Sequence, residues 1–276
     1  MMTFSIFQFS IGLLLAGLIA FVAFRLQLLS RSGAIAALTL GTVIFGLGGL
    51  RWAIVLMVFF LTSSGLSRLL RRRKQDAEGH YSKSATRDAW QVAANGGIAG
   101  VFVLLHLLFP QSAWPWLGFC AALAAANADT WATEIGALSR NQPRLITTMK
   151  PAEAGTSGAV SGLGILAAIA GGLVIALAGA LFDPYAALES VQSVLGAVTL
   201  GGVVGCLVDS WLGATVQAVY YCPQCRKETE KTPLHGCGTQ TELLRGKPWM
   251  NNDLVNLLCT LSGALTTLLI TLLAGG

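Results

Sequence analysis

Long apolar runs, broken by short polar stretches, extend along nearly the whole chain. A membrane-spanning helix needs about 20 predominantly apolar residues, and most of the runs are close to that length. The pattern therefore predicts an all-α, polytopic transmembrane bundle of about eight spans, over residues 4–24, 33–50, 52–67, 91–109, 113–135, 158–181, 192–217 and 252–274. The second and third spans are separated only by Arg51, so we expect a tight hairpin there.

The composition also indicates a membrane protein and excludes a soluble domain. Of 276 residues, 54% are hydrophobic, only 11% are charged, and 32 are glycine, which allows close helix packing in lipid. We interpret residues 1–276 as one integral membrane domain, in a bacterial cytoplasmic membrane or a thylakoid or other chloroplast-type membrane. The first run lacks a basic flank and is typical of a retained helix. The net charge of +5 indicates membrane orientation, with no nucleic acid expected as a partner.

The basic residues orient the predicted bundle. With the N-terminus outside, the inner loops contain 17 of the 18 Lys and Arg residues, and only Arg51 falls outside. Cytoplasmic loops carry such an excess of Lys and Arg. We therefore expect both termini outside, and residues 68–90, 140–157 and 222–250 in the cytoplasm.

Two carboxylates, Asp129 and Glu134, lie at the end of the fifth predicted span. An acid at the bilayer centre costs roughly 2.5–3.5 kcal/mol on insertion scales, so acids persist where a cation, a partner charge or water meets them. The alternative is simple solvation at the interface. On an ideal helix Asn127, Thr130 and Glu134 share a face, whereas Asp129 points about 140° away from Glu134. Either the helix unwinds so that both acids bind one ion, or each acid serves a different partner.

Two further polar stripes point to the same end of the bundle. The first, spaced i, i+3, i+7 at the cytoplasmic start of the fourth span, consists of Asp88, Gln91 and Asn95. It is either an interfacial helix cap or the wall of a pocket. The second, spaced i, i+4, i+8 in the seventh span, consists of Asp209, Gly213 and Gln217. No basic residue is near Asp209 in sequence, so its expected stabiliser is a metal ion or a charge from another segment.

The last span also opens with polar residues, which are Asn251, Asn252, Asp253 and Asn256. Asn251 or Asn252 can be an ordinary N-cap, and Asp253 can complement the helix dipole. Asn256 lies one turn deeper and extends the polar character into the span.

The loop between the fifth and sixth spans contains candidate phosphate-binding groups. Arg144 and Lys150 are cations suited to phosphate. The loop ends in Gly155-Thr156-Ser157-Gly158, directly before the next predicted span. A glycine-rich turn that opens a helix presents free N–H groups and a positive dipole end to an anion. The alternative is an ordinary Ser/Thr N-cap.

Three of the six cysteines cluster with a histidine in the loop 222–248, with the spacing C-x2-C-x9-H-x-C. The four residues are Cys222, Cys225, His235 and Cys237. Disulfides are rare in a reducing cytoplasm, and four soft ligands suit structural Zn²⁺. The alternative is free or redox-active thiols. Cys120, Cys206 and Cys259 lie in apolar segments and are expected to be small core residues.

Five of these stretches together resemble one family. They are Asn127–Gly136, Arg144–Pro151, Gly155–Gly158, Asp209–Gln217 and Asn251–Asn256. In combination they are similar to the integral membrane family known as domain of unknown function 92, over residues 20–270. Its characterised plant member is a chloroplast phytyl-phosphate kinase. The resemblance implies a transferase that moves a phosphoryl group from a nucleoside triphosphate, CTP or similar, to phytyl or polyprenyl monophosphate, with Mg²⁺.

That reaction assigns expected roles to the polar residues. The catalytic group would be Asp129, Glu134, Asp209 and Lys150. The Mg²⁺ ligands would be Asp129, Glu134, Asp209 and Asp253. The substrate-binding residues would be Arg144, Gly155, Thr156, Ser157, Gly158, Asp88, Gln91, Asn95, Asn127, Gln217, Asn252 and Asn256. The acceptor lipid would keep its tail in the bilayer, among membrane lipids, and its head group at the cytoplasmic surface.

A transporter or flippase for isoprenoid phosphates is the alternative function. It would use intramembrane acids for ion coupling. The predicted clusters lie at one face instead of the midplane, and no inverted repeat is obvious, which favours the enzyme.

Overall fold

The structure is a computed structural model that describes residues 5–77, 86–185 and 191–274. Within these ranges the chain forms eight α-helices, and the all-α bundle is confirmed. The helices are α1 (Ile6–Arg25), α2 (Arg31–Val43), α3 (Leu50–Ala77), α4 (Ala89–Leu108), α5 (Trp114–Gly136), α6 (Gly162–Leu181), α7 (Val191–Thr215) and α8 (Asn252–Ala274). Residues 78–85 of the predicted loop 68–90 lie outside the described residues.

Most predicted boundaries shift by one or two residues, and three differences change the interpretation of the chain. The third span ends at 67 on hydropathy, but α3 continues to Ala77 as a basic helix. The sixth begins at Gly162 instead of 158, because Ser161 is its N-cap and accepts from the Gly164 N–H. The seventh ends at Thr215, so Gln217 lies beyond the helix. The predicted hairpin is confirmed: α2 continues as a π-helix over Ile44–Gly48, and Gly49 turns the chain with φ +81°.

Seven of the eight helices are long and apolar enough to cross a membrane on length and composition. The helix outside that set is α5, whose sequence includes three tryptophans together with Asn127, Asp129 and Glu134. Yet α5 is the centre of the bundle, because it contacts α3, α4, α6, α7 and α8. Its residues 115–128 are all buried. Its polarity is therefore covered by protein, while large side chains on the outer helices are exposed toward the lipid region.

Small residues allow the helices to pack closely around α5. A side chain at Gly205 of α7 would lie 2.6 Å from both the Ala125 Cβ and the Cys259 carbonyl oxygen. A side chain at Gly171 of α6 would meet the Asn127 carbonyl oxygen at 3.0 Å. Lipid offers no hydrophobic drive for helix association, so such close contacts supply the packing energy. The polar ends of α5 and α7 are consequently held side by side.

Five short strands lie in two loops at one end of the bundle. They are β1 (Arg144–Leu145), β2 (Ala159–Val160), β3 (Val219–Cys222), β4 (Lys227–Thr229) and β5 (Glu242–Arg245). The first two pair antiparallel, and the other three form an antiparallel sheet in the order β4-β3-β5. The opposite end contains Arg51, whose guanidinium donates to the Asp183 carbonyl oxygen at 3.5 Å.

Candidate functional site

The helix α5 is unbroken through both of its acids. Unwinding is therefore not how the chain accommodates them, and each acid has its own neighbours. Asn127, which has no exposed surface, fixes the helix just before them. Its amide nitrogen donates to the Gly171 carbonyl at 2.8 Å, and its amide oxygen accepts from the Thr62 hydroxyl at 3.1 Å. Asn127 thus uses its amide to join α5 to α6 and α3.

Glu134 faces α3 and the connection that precedes α4. The Ser67 hydroxyl donates a hydrogen bond of 2.9 Å to the Glu134 carboxylate. Arg87 lies close enough for the Glu134 charge to act on it. Burial lowers the pKa of Arg87 to about 10, and the Glu134 carboxylate partly offsets that effect. A carboxylate and a guanidinium therefore share this side of α5.

Asp129 faces the other side, toward α7 and α8. The charges of Asp129 and Asp209 both act on the buried thiols of Cys206 and Cys259. Ala128, the neighbour of Asp129, packs against Cys206, one turn before Asp209. The two aspartates therefore lie at the same interface between α5, α7 and α8.

The start of α8 lies at the depth of Asp209. Gly205 packs against Cys259, and Leu212 belongs to a cluster with Met250 and Val255, so Asp209 lies between these levels. Asn251 acts as a helix cap, since its side-chain oxygen accepts from the Leu254 N–H at 3.0 Å.

Two side-chain amides of α8, those of Asn252 and Asn256, lie near the level of Asp209. The Asn252 side-chain nitrogen is buried without a hydrogen-bond partner among the described residues. Asn256 is 9% exposed. A buried amide without a protein partner is a candidate ligand for a water molecule or an ion. Asp253 lies in the first turn of the same helix.

The predicted phosphate-binding turn is placed differently from the expectation. Gly155–Gly158 does not open α6, because β2 and the Ser161 cap come between. The turn packs instead on the end of α7, where a side chain at Gly158 would lie 2.3 Å from the Ala214 nitrogen. Both Gly155 and Gly158 have positive φ, at +87° and +83°. The positive end of the α6 helix dipole therefore does not lie at this turn.

The cations of this loop are at its surface. Arg144 is exposed, and its guanidinium donates to the Met149 carbonyl at 2.7 Å. Lys150 is exposed as well, next to Met149, which has a φ of +55°. Both side chains are accessible to a soluble ligand at the end of the bundle that contains the acids.

Gln217 links the turn to the sheet-containing loop. This side chain is 2% exposed; its oxygen accepts from the Ser157 hydroxyl at 2.9 Å, and its nitrogen donates to the Glu230 carboxylate at 2.8 Å. Arg245 of β5 adds two hydrogen bonds, to the Gly213 carbonyl at 2.8 Å and the Ser157 carbonyl at 3.2 Å. Gln217 is therefore engaged within the protein, where it positions the turn.

The cysteine and histidine side chains of the 222–248 loop converge as the spacing predicted. Cys222, Cys225, His235 and Cys237 offer ligand atoms that all lie within 4.8 Å of one another. Cys222 is the last residue of β3, and Cys225 lies in the turn between β3 and β4. Hydrogen bonds with Thr239 and His235 lower the pKa of the Cys237 thiol to about 5, whereas the hydrogen bond with Cys237 raises the pKa of Cys225 to about 11, so without a metal the negative charge of the cluster rests on Cys237. This group can hold a metal ion. The other three cysteines are buried among the helices, as expected.

The stripe at the start of α4 combines both of its predicted alternatives. Asp88 is the N-cap: its carboxylate accepts from the Gln91 N–H at 3.0 Å, and the Gln91 side-chain oxygen accepts from the Asp88 N–H at 3.3 Å. Gln91 and Asn95 also line a cleft between the first four helices. Arg87 lines the same cleft. In the sequence Arg87 is one of many basic residues of the loop 68–90, and its position directly before Asp88 does not show that it is buried at this cleft.

The comparisons with known proteins bear on this arrangement. The family model described as integral membrane protein DUF92 matches residues 14–264. The chain belongs to this family. It is 32% identical over 269 residues to Protein PGR of Arabidopsis thaliana, covering 91% of each chain.

Two other relatives are more distant. An uncharacterised membrane protein of Methanocaldococcus jannaschii is 28% identical over 260 residues, covering 94% of this chain and 93% of the relative. The chloroplastic Protein VTE6 of Arabidopsis thaliana is 24% identical over 246 residues, covering 87% of this chain and 65% of the relative. No solved structure matches the chain.

Proposed function

We propose that this DUF92 member is an isoprenoid-phosphate kinase. It would transfer the γ-phosphoryl group of a nucleoside triphosphate, CTP or similar, to phytyl or polyprenyl monophosphate. An oxygen of the acceptor phosphate forms the new P–O bond, the γ-phosphorus–oxygen bond to the nucleotide breaks, and the nucleoside diphosphate leaves. Membership of the DUF92 family, which the sequence motifs link to a characterised plant phytyl-phosphate kinase, supports the reaction class.

The observation that carries the proposal is the placement of Asp129 and Asp209 at one helix interface. Two carboxylates in a low dielectric repel each other unless a cation offsets their charge. The donor set also suits Mg²⁺, which prefers oxygen ligands, and the buried Asn252 amide lies at the same depth. We infer that Asp129 and Asp209 would hold Mg²⁺, with Asp253 and Asn256 as further candidates. When bound, Mg²⁺ would neutralise charge on the transferring phosphoryl group.

The remaining residues would bind and orient the substrates. Lys150 and Arg144 are exposed cations that would bind phosphates of the nucleotide, beside the Gly155–Gly158 turn that Gln217 positions. Glu134, on the opposite face of α5, would face the acceptor. A monophosphate oxygen is already nucleophilic, so no strong general base is required. Catalysis would rest on positioning and electrostatics, as is general for phosphoryl transfer.

We further propose that the metal at Cys222, Cys225, His235 and Cys237 is Zn²⁺. Three thiols and one imidazole are the ligand set of structural zinc, and a full set of protein ligands leaves no open position for catalysis. The zinc would stabilise the three-stranded sheet and, through Glu230 and Gln217, the turn at Ser157. We also propose that the end of the bundle with these loops faces the cytoplasm, because it contains nearly all the basic residues.

The decisive experiment is turnover by purified protein. γ-Labelled CTP or ATP, Mg²⁺ and phytyl or geranylgeranyl monophosphate should yield the labelled isoprenoid diphosphate. Protein in which both Asp129 and Asp209 are replaced by Asn provides the matched blank. Translocation of the lipid phosphate across vesicles without nucleotide consumption would instead establish the transporter.

A further inference from the structure

An apolar cleft lies between α1, α2, α3 and α4, on the Glu134 side of α5. It is a narrow, partly open groove with a cavity volume of about 80 Å³. Its walls are small and apolar along α1 and α2, from Ala16, Ala20 and Ala37 to Gly41, and aromatic at Phe45 and Phe59. The small residues let α1 and α2 pack closely along this wall, since a Cβ at Gly41 would lie 3.0 Å from the Ala16 Cβ, and Ile19 and Leu40 of the same helices also line the groove. The space suits a long flexible hydrocarbon.

One end of this cleft is polar and cationic. Arg87, Gln91 and Asn95 line it there. The Arg87 guanidinium lies over the Phe59 ring, 5.7 Å from its centroid, and donates to the Ser63 hydroxyl at 3.2 Å. A guanidinium has five N–H donors, and in the described part of the chain Ser63 is the group that accepts from this one. Further donors of Arg87 are therefore available for an anion at the end of the cleft.

The backbone of Arg87 is held firmly in place. Its N–H donates to the Leu28 carbonyl at 2.9 Å, and its carbonyl accepts from the Ser30 N–H at 2.9 Å. A side chain at Gly33 would lie 2.1 Å from the Arg87 carbonyl oxygen, so only glycine fits below it. The segment before α4 is thus tied to the α1–α2 connection, and Arg87 keeps its position at the cleft.

A single face of α3 leads from the cleft to the acids. Phe59, Ser63 and Ser67 are spaced i, i+4, i+8 and therefore share that face. Phe59 lines the cleft, Ser63 accepts from Arg87, and Ser67 donates to Glu134. A phosphate bound at Arg87 would consequently lie beside Glu134 on α5.

We propose that the cleft binds the hydrocarbon chain of the acceptor lipid and that Arg87 binds its phosphate. This inference rests on the proposed kinase function and names the acceptor subsite of that reaction. The occupant is an isoprenoid monophosphate, because an apolar channel that ends in a fixed guanidinium complements a long chain with an anionic head group. The nucleotide, in contrast, would reach the acids from the exposed loops.

The cleft is tested with variants that fill it. Ala37→Phe places bulk in the channel, whereas Ile35→Phe changes an outward side chain of the same helix that is 67% exposed. Binding of farnesyl and geranylgeranyl monophosphate is measured without nucleotide, by competition with a photoreactive isoprenoid monophosphate. We expect Ala37→Phe to shift the preference toward farnesyl by roughly tenfold, and Ile35→Phe to match the parent protein. Ala37→Leu provides a milder version if Ala37→Phe does not fold.

The head group is tested with Arg87→Gln. Affinity for geranylgeranyl monophosphate should fall roughly tenfold or more, as for loss of a charged hydrogen bond, whereas affinity for geranylgeraniol should not change. Equal losses for both lipids would overturn the assignment of Arg87. Unchanged chain-length preference in folded Ala37→Phe and Ala37→Leu would overturn the cleft. Selective binding without any diphosphate formed by the parent protein would retain the cleft and refute the kinase.

Discussion

The Ser67 hydroxyl donates a 2.9 Å hydrogen bond to the Glu134 carboxylate. This contact joins the C-terminal half of α3 to the end of α5 and places Glu134 on the side away from Asp129. The two acids of α5 therefore lie in different environments: Glu134 lies beside Arg87, and Asp129 lies on the side of Asp209.

Replacing the aspartates should abolish turnover while the fold persists. Asp129→Asn or Asp209→Asn retains shape but removes one ligand charge, and the rate should fall a hundredfold or more, a loss of roughly 2.7–4 kcal/mol of transition-state stabilisation. The measurement is Mg²⁺-dependent diphosphate formation. Asp183→Asn, at the opposite end of the bundle, is the control and should be active. Near-normal rates in both Asp129→Asn and Asp209→Asn would show that the centre is misplaced.

Purified protein should contain one zinc per chain. Elemental analysis of Cys222→Ser should show its loss, together with a lower thermal unfolding midpoint, because the β3–β5 sheet loses its metal cross-link. Cys120→Ala, which changes a buried cysteine among the helices, should retain zinc. Metal-free parent protein with the same stability as Cys222→Ser would rule out a zinc site.

Labelling of intact cells tests the orientation. Gln111→Cys and Asn141→Cys introduce exposed thiols at opposite ends of the bundle. A membrane-impermeant maleimide should modify Gln111→Cys above the parent background, and should modify Asn141→Cys only after the cells are opened. The reverse pattern would invert the proposed topology.

Arg87→Lys should make acceptor binding depend on pH. Burial lowers the pKa of Arg87 to about 10, so the arginine is charged throughout the physiological range. An ordinary lysine has a pKa of about 10.4, and burial at this position would lower it further, toward the physiological range. The variant should bind isoprenoid monophosphate at neutral pH and lose affinity as the pH rises and the lysine loses its proton. The parent protein and Arg31→Lys should keep their affinity over the same range, which lies above the second pKa of the phosphate, about 6.

Gly158 should not tolerate a side chain. Its φ is +83°, and a Cβ there would lie 2.3 Å from the Ala214 nitrogen, so Gly158→Ala should cost about 1–3 kcal/mol and lower the unfolding midpoint. Gly162 has open space around its Cβ position, and Gly162→Ala should be neutral or slightly stabilising. Equal stability of the two variants would show that the turn does not need its contact with α7.

Hydropathy and ligand spacing predicted the helices and the cysteine–histidine cluster, because both depend on local sequence. The 140° separation of Asp129 and Glu134 likewise followed from helix geometry, and the unbroken α5 decided between its two outcomes. The role of Gln217 was not predictable in this way. The predicted span reached residue 217 and so placed Gln217 on a helical face with Asp209. In the structure Gln217 lies beyond α7 and contacts Ser157 and Glu230, which belong to two different loops.

The surroundings of Arg87 were likewise not predictable from the sequence. Its neighbours Ser63, Glu134 and Leu28 belong to three other segments, and no spacing rule joins them. Its charge was visible in the sequence, but its burial was not.

The unusual composition of α5 has a consequence for biogenesis. This helix is not among those apolar enough to cross a membrane on composition, yet its residues 115–128 are buried in the bundle. Such a segment partitions poorly into lipid alone, so we expect it to leave the translocon only together with neighbouring segments that cover its polar groups. Insertion of α5 and assembly of the acid-bearing interface would then be a single event. Chains that fail to assemble would expose α5 to the quality-control proteases of the membrane.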